Sequence, residues 1–161
     1  EPAYMVSVGD TAPDFTAPLA NGDVESMTLS TAVADGPVVL AFFPGAFTSV
    51  CSHEMEAFEG RLDELNAAGV DVYGVSVDTP FAQNAFREEL GLTFPLVSDS
   101  ERDIVDAYDI SMDFTAMGVY NLAKRSVFVV DGDRAVTYAW VSDDPGVEPD
   151  YGAVVDAARS V

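Results

Sequence analysis

Val38-Val39-Leu40-Ala41-Phe42-Phe43-Pro44-Gly45-Ala46-Phe47-Thr48-Ser49-Val50-Cys51 is the stretch on which the fold turns. An unbroken apolar run over residues 38–43, entered through Gly36-Pro37, predicts a strand buried on both faces. Pro44 and Gly45 end it with a tight turn. From Cys51 the apolar period changes: Met55, Phe58, Leu62 and Leu65 follow at spacings of four and three, which mark one face of a helix. The stretch therefore reads as buried strand, turn, helix, with the thiol in the first helical turn at the carboxyl end of the strand. Open α/β sheets bind ligands at that end.

The same alternation continues outward. Gly69 closes the helix, residues 70–77 read as the next strand, and Asp78-Thr79-Pro80 ends it. Residues 81–90 predict a helix stopped by Gly91, residues 94–97 a short strand, and residues 101–108 a short helix. Residues 126–130 and 135–141 predict two strands joined by the turn Asp131-Gly132-Asp133-Arg134, and residues 151–158 a terminal helix. Residues 6–29 carry Gly9, Pro13, Pro18 and Asn21-Gly22, and are expected to be loop or a short hairpin outside the core. Strands alternating with helices predict an α/β sandwich with a mixed sheet. At 161 residues the chain is expected to form a single domain over residues 1–161. Residues 1–5 are expected to be a flexible tail or an added remnant ahead of a start at Met5.

There are 28 acidic residues against 7 basic ones, a formal net charge of −21, and Lys124 is the only lysine. Such a surface repels phosphate backbones and anionic lipid, so neither nucleic acid nor a membrane is an expected partner. The acids are spread along the chain rather than gathered as a metal site. Self-repulsion on this scale destabilises a compact state unless salt screens it; at ~1 M salt the Debye length is only about 3 Å. A protein adapted to high salt is the expectation. One cysteine without a disulfide framework, and no leader-like segment at the start of the sequence, suggest the cytoplasm.

A single cysteine has no partner for an internal disulfide. It is often just a small buried hydrophobe. Here the helix N-terminus places it in a positive field, which favours the thiolate, and the thiolate is the nucleophile. Thr48 stands where a helix cap would, and its hydroxyl is expected to accept the Cys51 N–H. Pro44 fixes the turn and adds no competing donor. Glu54, three residues on, shares the helix face; it is either a first-turn acid favoured by the dipole or a partner for a cation. His53 points away from the sulfur and is expected to be solvated.

Pro44, Thr48 and Cys51 match the pattern Pro-x-x-x-Thr-x-x-Cys, and on these residues the chain resembles the peroxiredoxin family. Three further blocks agree in order: Gly9-Asp10-Thr11-Ala12-Pro13-Asp14-Phe15, Phe94-Pro95-Leu96-Val97-Ser98-Asp99, and Arg125 ahead of Ser126-Val127-Phe128-Val129-Val130-Asp131. The resemblance implies a thioredoxin-like α/β sandwich and a thiol-dependent peroxidase acting on hydrogen peroxide and organic hydroperoxides. It implies Cys51 as the nucleophile, with the Thr48 hydroxyl and the Cys51 backbone N–H holding the peroxide oxygens and Arg125 stabilising the thiolate and the developing charge. Pro44 would shield the thiol. Glu54 would orient Arg125 or another donor, and Phe47 would support the site or touch substrate. No cofactor is implied. The family position for a resolving cysteine, five residues after the first, holds Glu56. The chain is therefore read as a one-cysteine type, similar to the alkyl hydroperoxide reductase E-like or bacterioferritin-comigratory-protein-like branch. It would need an external thiol, a small molecule or a redoxin protein. Exposed Phe47 and Phe81 suggest a homodimer or higher oligomer.

A disulfide reductase would require Cys-x-x-Cys, and the partner position holds Thr48. One His and one Cys offer no metal-ligand spacing. No phosphate-binding glycine loop is present. The remaining alternative is a redox sensor or holdase on the same fold, without efficient turnover.

Overall fold

The computed structural model describes residues 6–161; the tail expected over residues 1–5 lies outside them. A hairpin opens the fold, β1 (Thr16–Asn21) and β2 (Asp23–Thr28), followed by a single turn of helix, α1 (Leu29–Ala32). The decisive stretch then forms β3 (Val38–Phe42) and α2 (Ser49–Ala67). β4 (Asp71–Ser76), α3 (Pro80–Leu90), β5 (Leu96–Ser98) and α4 (Asp103–Ala107) continue the alternation. The ribbon β6 (Ser111–Phe114) and β7 (Val119–Ala123) precedes β8 (Ser126–Val130), β9 (Val136–Val141) and α5 (Tyr151–Arg159).

Among the described residues the main sheet has seven strands in the order β2-β1-β5-β4-β3-β8-β9. β3, β4 and β5 run parallel, while β1, β2, β8 and β9 pair antiparallel, so the sheet is mixed as predicted. β3 lies inside it, and all five of its residues are fully buried. Its alternate side chains serve two cores. Val38, Leu40 and Phe42 pack with Leu29, Ile104, Val105 and Tyr108. Val39, Ala41 and Phe43 pack with Met55, Phe58, Leu65, Phe86, Val154 and Val155 on the face covered by α2, α3 and α5. That two-sided burial is why the strand reads as a continuous apolar run.

Gly74 lets α2 settle close to the sheet. A Cβ there would stand 2.5 Å from Leu96 Cδ2 and 3.2 Å from Met55 Sδ. Gly91 ends α3 in the left-handed conformation at φ 67°, and Thr79 caps its start by accepting the Ala82 N–H at 3.3 Å.

One expectation is corrected. Residues 6–29 do hold a short hairpin, but it does not lie outside the core: β1 and β2 join the main sheet, with Leu19 and Ala20 paired to Val97 and Leu96. Leu19, Ala20 and Met27 are buried as a result. The polar turn at Gly22 hid this, because only a few hairpin positions face the core. The ribbon β6–β7 was not anticipated at all. Its strands pair only with each other and most of β7 is exposed, so no apolar alternation announces it.

Candidate active site

Cys51 is the third residue of α2 and only 1% exposed. The turn that carries the chain from β3 into α2 is held by Asp78, whose Oδ2 accepts the Ala46 N–H at 2.8 Å and the Ser76 hydroxyl at 2.7 Å. Gln83 donates to Ser76 Oγ at 2.9 Å and to the Val97 carbonyl at 2.8 Å, and thereby ties α3 to the same end of the sheet. The strand ends beneath the thiol are thus cross-linked by side chains.

Thr48 does occupy the cap position of α2, with extended backbone at φ −87° and ψ 151°. Its side chain does not do what spacing predicted. The hydroxyl makes no cap hydrogen bond and instead donates to the Gly45 carbonyl at 3.0 Å. The physical reason is the turn itself, which folds Gly45 back within reach of Oγ1. The hydroxyl hydrogen is spent on the turn, while the oxygen lone pairs remain available to accept. The helical ladder begins with Ser52 N–H on the Thr48 carbonyl at 2.9 Å.

Arg125 reaches the site from the link between β7 and β8 and is 1% exposed. Nη2 donates to Cys51 Sγ at 3.2 Å, and Nη1 to Glu54 Oε1 at 2.6 Å. Nε and Nη2 both donate to the Pro145 carbonyl, at 3.1 and 3.0 Å. A planar guanidinium presents its donors in fixed directions and so holds these three acceptors in a set geometry, which a flexible lysine ammonium does not. Burial penalises its charge, but Glu54 and Cys51 outweigh that penalty and the Arg125 pKa rises. For Glu54 the balance goes the other way. Its burial outweighs the pull of Arg125 and pushes the carboxyl up to about 7. The two directions fit the contacts: Arg125 has several acceptors, whereas Glu54 Oε2 is buried with no hydrogen-bond partner among the described residues.

A cavity of about 250 Å³ is lined by Cys51 together with Pro44, Thr48, Phe114, Met117 and Pro145. Five of the expected site residues therefore meet: Cys51, Thr48, Pro44 and Arg125 line this cavity, and Glu54 backs Arg125. Phe47 is not among the lining residues. It is 58% exposed, has φ 66°, and its ring packs edge-on against Phe86 with centroids 5.2 Å apart. His53 is on the surface as expected, and its Nδ1 meets Glu148 Oε1 at 2.6 Å. A larger cavity, about 480 Å³, lies between β1 and α4; its lining includes Asp14, Asp99, Glu101 and Asp103 and neither cysteine nor histidine. Among the described residues no group of three or more His, Cys, Asp or Glu is placed to hold a metal ion.

Sequence reasoning missed Asp78, the Pro145 carbonyl, and the apolar rim of Phe114 and Met117. Asp78 was visible only as the end of a strand. A turn signal, Asp144-Pro145-Gly146, marked the loop that supplies the carbonyl, but side-chain patterns do not specify a backbone acceptor.

Residues 8–139 match the model of the AhpC/TSA family. A thiol peroxidase of Clostridium acetobutylicum is 32% identical over 155 residues, covering 96% of this chain and 89% of its own. A chloroplastic 2-cysteine peroxiredoxin of Chattonella marina var. antiqua is 34% identical, over 86% of this chain and 72% of its own. Among solved structures, the peroxidoxin BcpB of Mycobacterium tuberculosis superposes with a TM-score of 0.85 at 28% identity, covering 98% of this chain and 99% of its own.

Proposed function

Because the chain belongs to the AhpC/TSA family and has its thioredoxin-like fold, we propose that it is a thiol-dependent peroxidase with Cys51 as the nucleophile. The thiolate sulfur attacks the terminal oxygen of a hydroperoxide, the S–O bond forms as the O–O bond breaks, and Cys51 becomes a sulfenic acid. The leaving oxygen takes up a proton and departs as water or an alcohol. The observation that carries this reading is the Arg125 Nη2 to Cys51 Sγ contact of 3.2 Å inside a cavity of about 250 Å³. A buried, always-charged donor at the sulfur stabilises the thiolate and the negative charge that develops on the breaking bond.

Thr48 Oγ1, its hydrogen already given to Gly45, accepts from the hydroperoxide O–H and so aligns the oxygens with the sulfur. Pro44 walls the cavity, and Glu54 holds Arg125 in register. Phe47 supports the turn through Phe86 rather than through substrate. With no second cysteine, the sulfenic acid is reduced by an external thiol, either a small molecule or a redoxin protein.

The same proposal extends to setting. The chain works as one domain, in a cytoplasm of high salt that screens its net charge of −21. Exposed Phe47 and Phe81 suit self-association into a homodimer or larger assembly. Among the described residues no helix is long and apolar enough to cross a membrane.

Turnover tests the proposal: the reduced protein is mixed with hydrogen peroxide or cumene hydroperoxide and a panel of small thiols and redoxins. Sustained peroxide loss that disappears in Cys51→Ser supports it. Oxidation of Cys51 that no thiol reverses favours the sensor alternative.

A further inference from the structure

Glu54 is more than a prop for Arg125. Cys51 and Glu54 lie three residues apart on one face of α2, and both touch the same guanidinium, at 3.2 and 2.6 Å. All three residues are at most 1% exposed. If both acids ionised, one cation would face two anions, leaving an uncompensated negative charge in a buried site. The surroundings offer no relief. Glu148, on the loop before α5, adds negative charge, and the Tyr151 hydroxyl, bonded to Glu148 at 2.6 Å, holds its carboxyl below the usual carboxylate range. His53 on α2 is directed to Glu148, not to Glu54. Lys124, beside Arg125 in the chain, is paired with Asp143 at 2.8 Å. Two acids sharing one site resolve this by keeping one proton between them.

Position decides which acid keeps it. Cys51 is in the first turn of α2, where the helix favours an anion; Glu54 is a turn further in, with Oε2 buried and unpartnered among the described residues. We propose that in the reduced protein Glu54 carries the proton while Cys51 is the thiolate, and that oxidation of Cys51 makes Glu54 the anion that Arg125 faces. This rests on the peroxidase reading above. The chemistry balances. Thiolate, carboxylic acid and hydroperoxide become sulfenic acid, carboxylate and alcohol. Sulfur loses two electrons to the O–O bond. The Glu54 proton is released to water and replaces the one taken up by the leaving oxygen. Arg125 thus faces one anion before and after the step and needs no rearrangement. Glu54 touches no substrate; it is a positioning residue that holds the site's charge constant.

Infrared difference spectroscopy of the whole protein, with and without hydrogen peroxide, tests this. Oxidation is expected to abolish a protonated-carboxyl C=O stretch that is absent from Glu54→Gln. Persistence of that stretch while mass spectrometry shows an added oxygen on Cys51 overturns the proposal. Should Cys51 gain no oxygen, the peroxidase reading fails, and a second arm still decides the charge coupling. In Cys51→Ser labelled with ¹³C-glutamate, the Glu54 carboxyl is expected to titrate about one pH unit or more below its midpoint in the intact protein, the effect of removing one of two anions from a shared site. An unchanged midpoint overturns the coupling whatever the peroxide result.

Discussion

Replacing Arg125 by methionine keeps a long side chain in place and removes every guanidinium donor from the site. Sγ loses its 3.2 Å contact, Glu54 its 2.6 Å partner, and the Pro145 carbonyl two hydrogen bonds. A hydrogen bond to a charged group contributes about 1.5–3 kcal/mol. At 1.36 kcal/mol per decade, losing the one to the thiolate slows Cys51 oxidation roughly ten- to 150-fold. Stability falls as well, because removing one member of a buried ion pair costs about 3–5 kcal/mol. Protonation of Glu54 relieves part of that loss at low pH, so the variant is destabilised more at pH 8 than at pH 6. The double change Arg125→Met with Glu54→Leu separates the two effects. Replacing a buried ion pair by apolar groups is often neutral, so stability returns while the slow rate remains. Peroxide-driven thiol loss measured by stopped flow, beside urea unfolding of each variant, reads both quantities. Oxidation of Arg125→Met at the parental rate would refute the assigned role, as would recovery of the rate together with stability in the double variant.

Three further outcomes follow from the geometry. The folded chain holds a proton on Glu54 up to a pKa of about 7, against 4.5 for the free side chain. That contribution to stability is complete below pH 4.5 and is lost as pH rises through about 7. Glu54→Gln should remove this slope; urea midpoints at pH 5 and 8 check it, and a parent-minus-variant difference independent of pH contradicts it. Asp78→Ala frees the Ala46 N–H and the Ser76 hydroxyl, which costs about 1–3 kcal/mol and loosens the turn that carries Thr48. Its kcat/KM should drop while Asp78→Asn, which keeps one oxygen acceptor, retains part of it. With a net charge of −21, the thermal midpoint should climb as potassium chloride approaches ~1 M; full stability in dilute buffer would end the high-salt proposal.

Those elements that could be read from sequence were the ones whose burial leaves a period. β3 showed as an unbroken apolar run because both of its faces are covered, and α2 showed through Met55, Phe58, Leu62 and Leu65, all buried against the sheet. Stops at Gly69 and Gly91 were legible because both residues hold positive φ. The place of the β1–β2 hairpin in the core was not legible, since Leu19 and Ala20 of β1 and Met27 of β2 are too few buried positions to set a period. Within the site, the spacing of Pro44, Thr48 and Cys51 set out one wall of the cavity. It could not indicate which way the Thr48 hydroxyl turns, because Gly45 competes for it only once the turn has formed. Nor could it supply the Pro145 carbonyl, a backbone atom twenty residues from Arg125 that β9 and its following loop deliver. Side-chain chemistry was legible; backbone acceptors were not.

Cys51 as a peroxide-attacking thiolate is the centre of the account, and its single-turnover oxidation tests that most directly. The reduced protein is mixed with hydrogen peroxide in a stopped-flow instrument, and thiol loss at Cys51 is followed beside a free small-molecule thiol at the same pH. The contact with Arg125 and the shaped cavity predict oxidation orders of magnitude faster than the free thiol. A Cys51 rate equal to that of the free thiol would contradict the account.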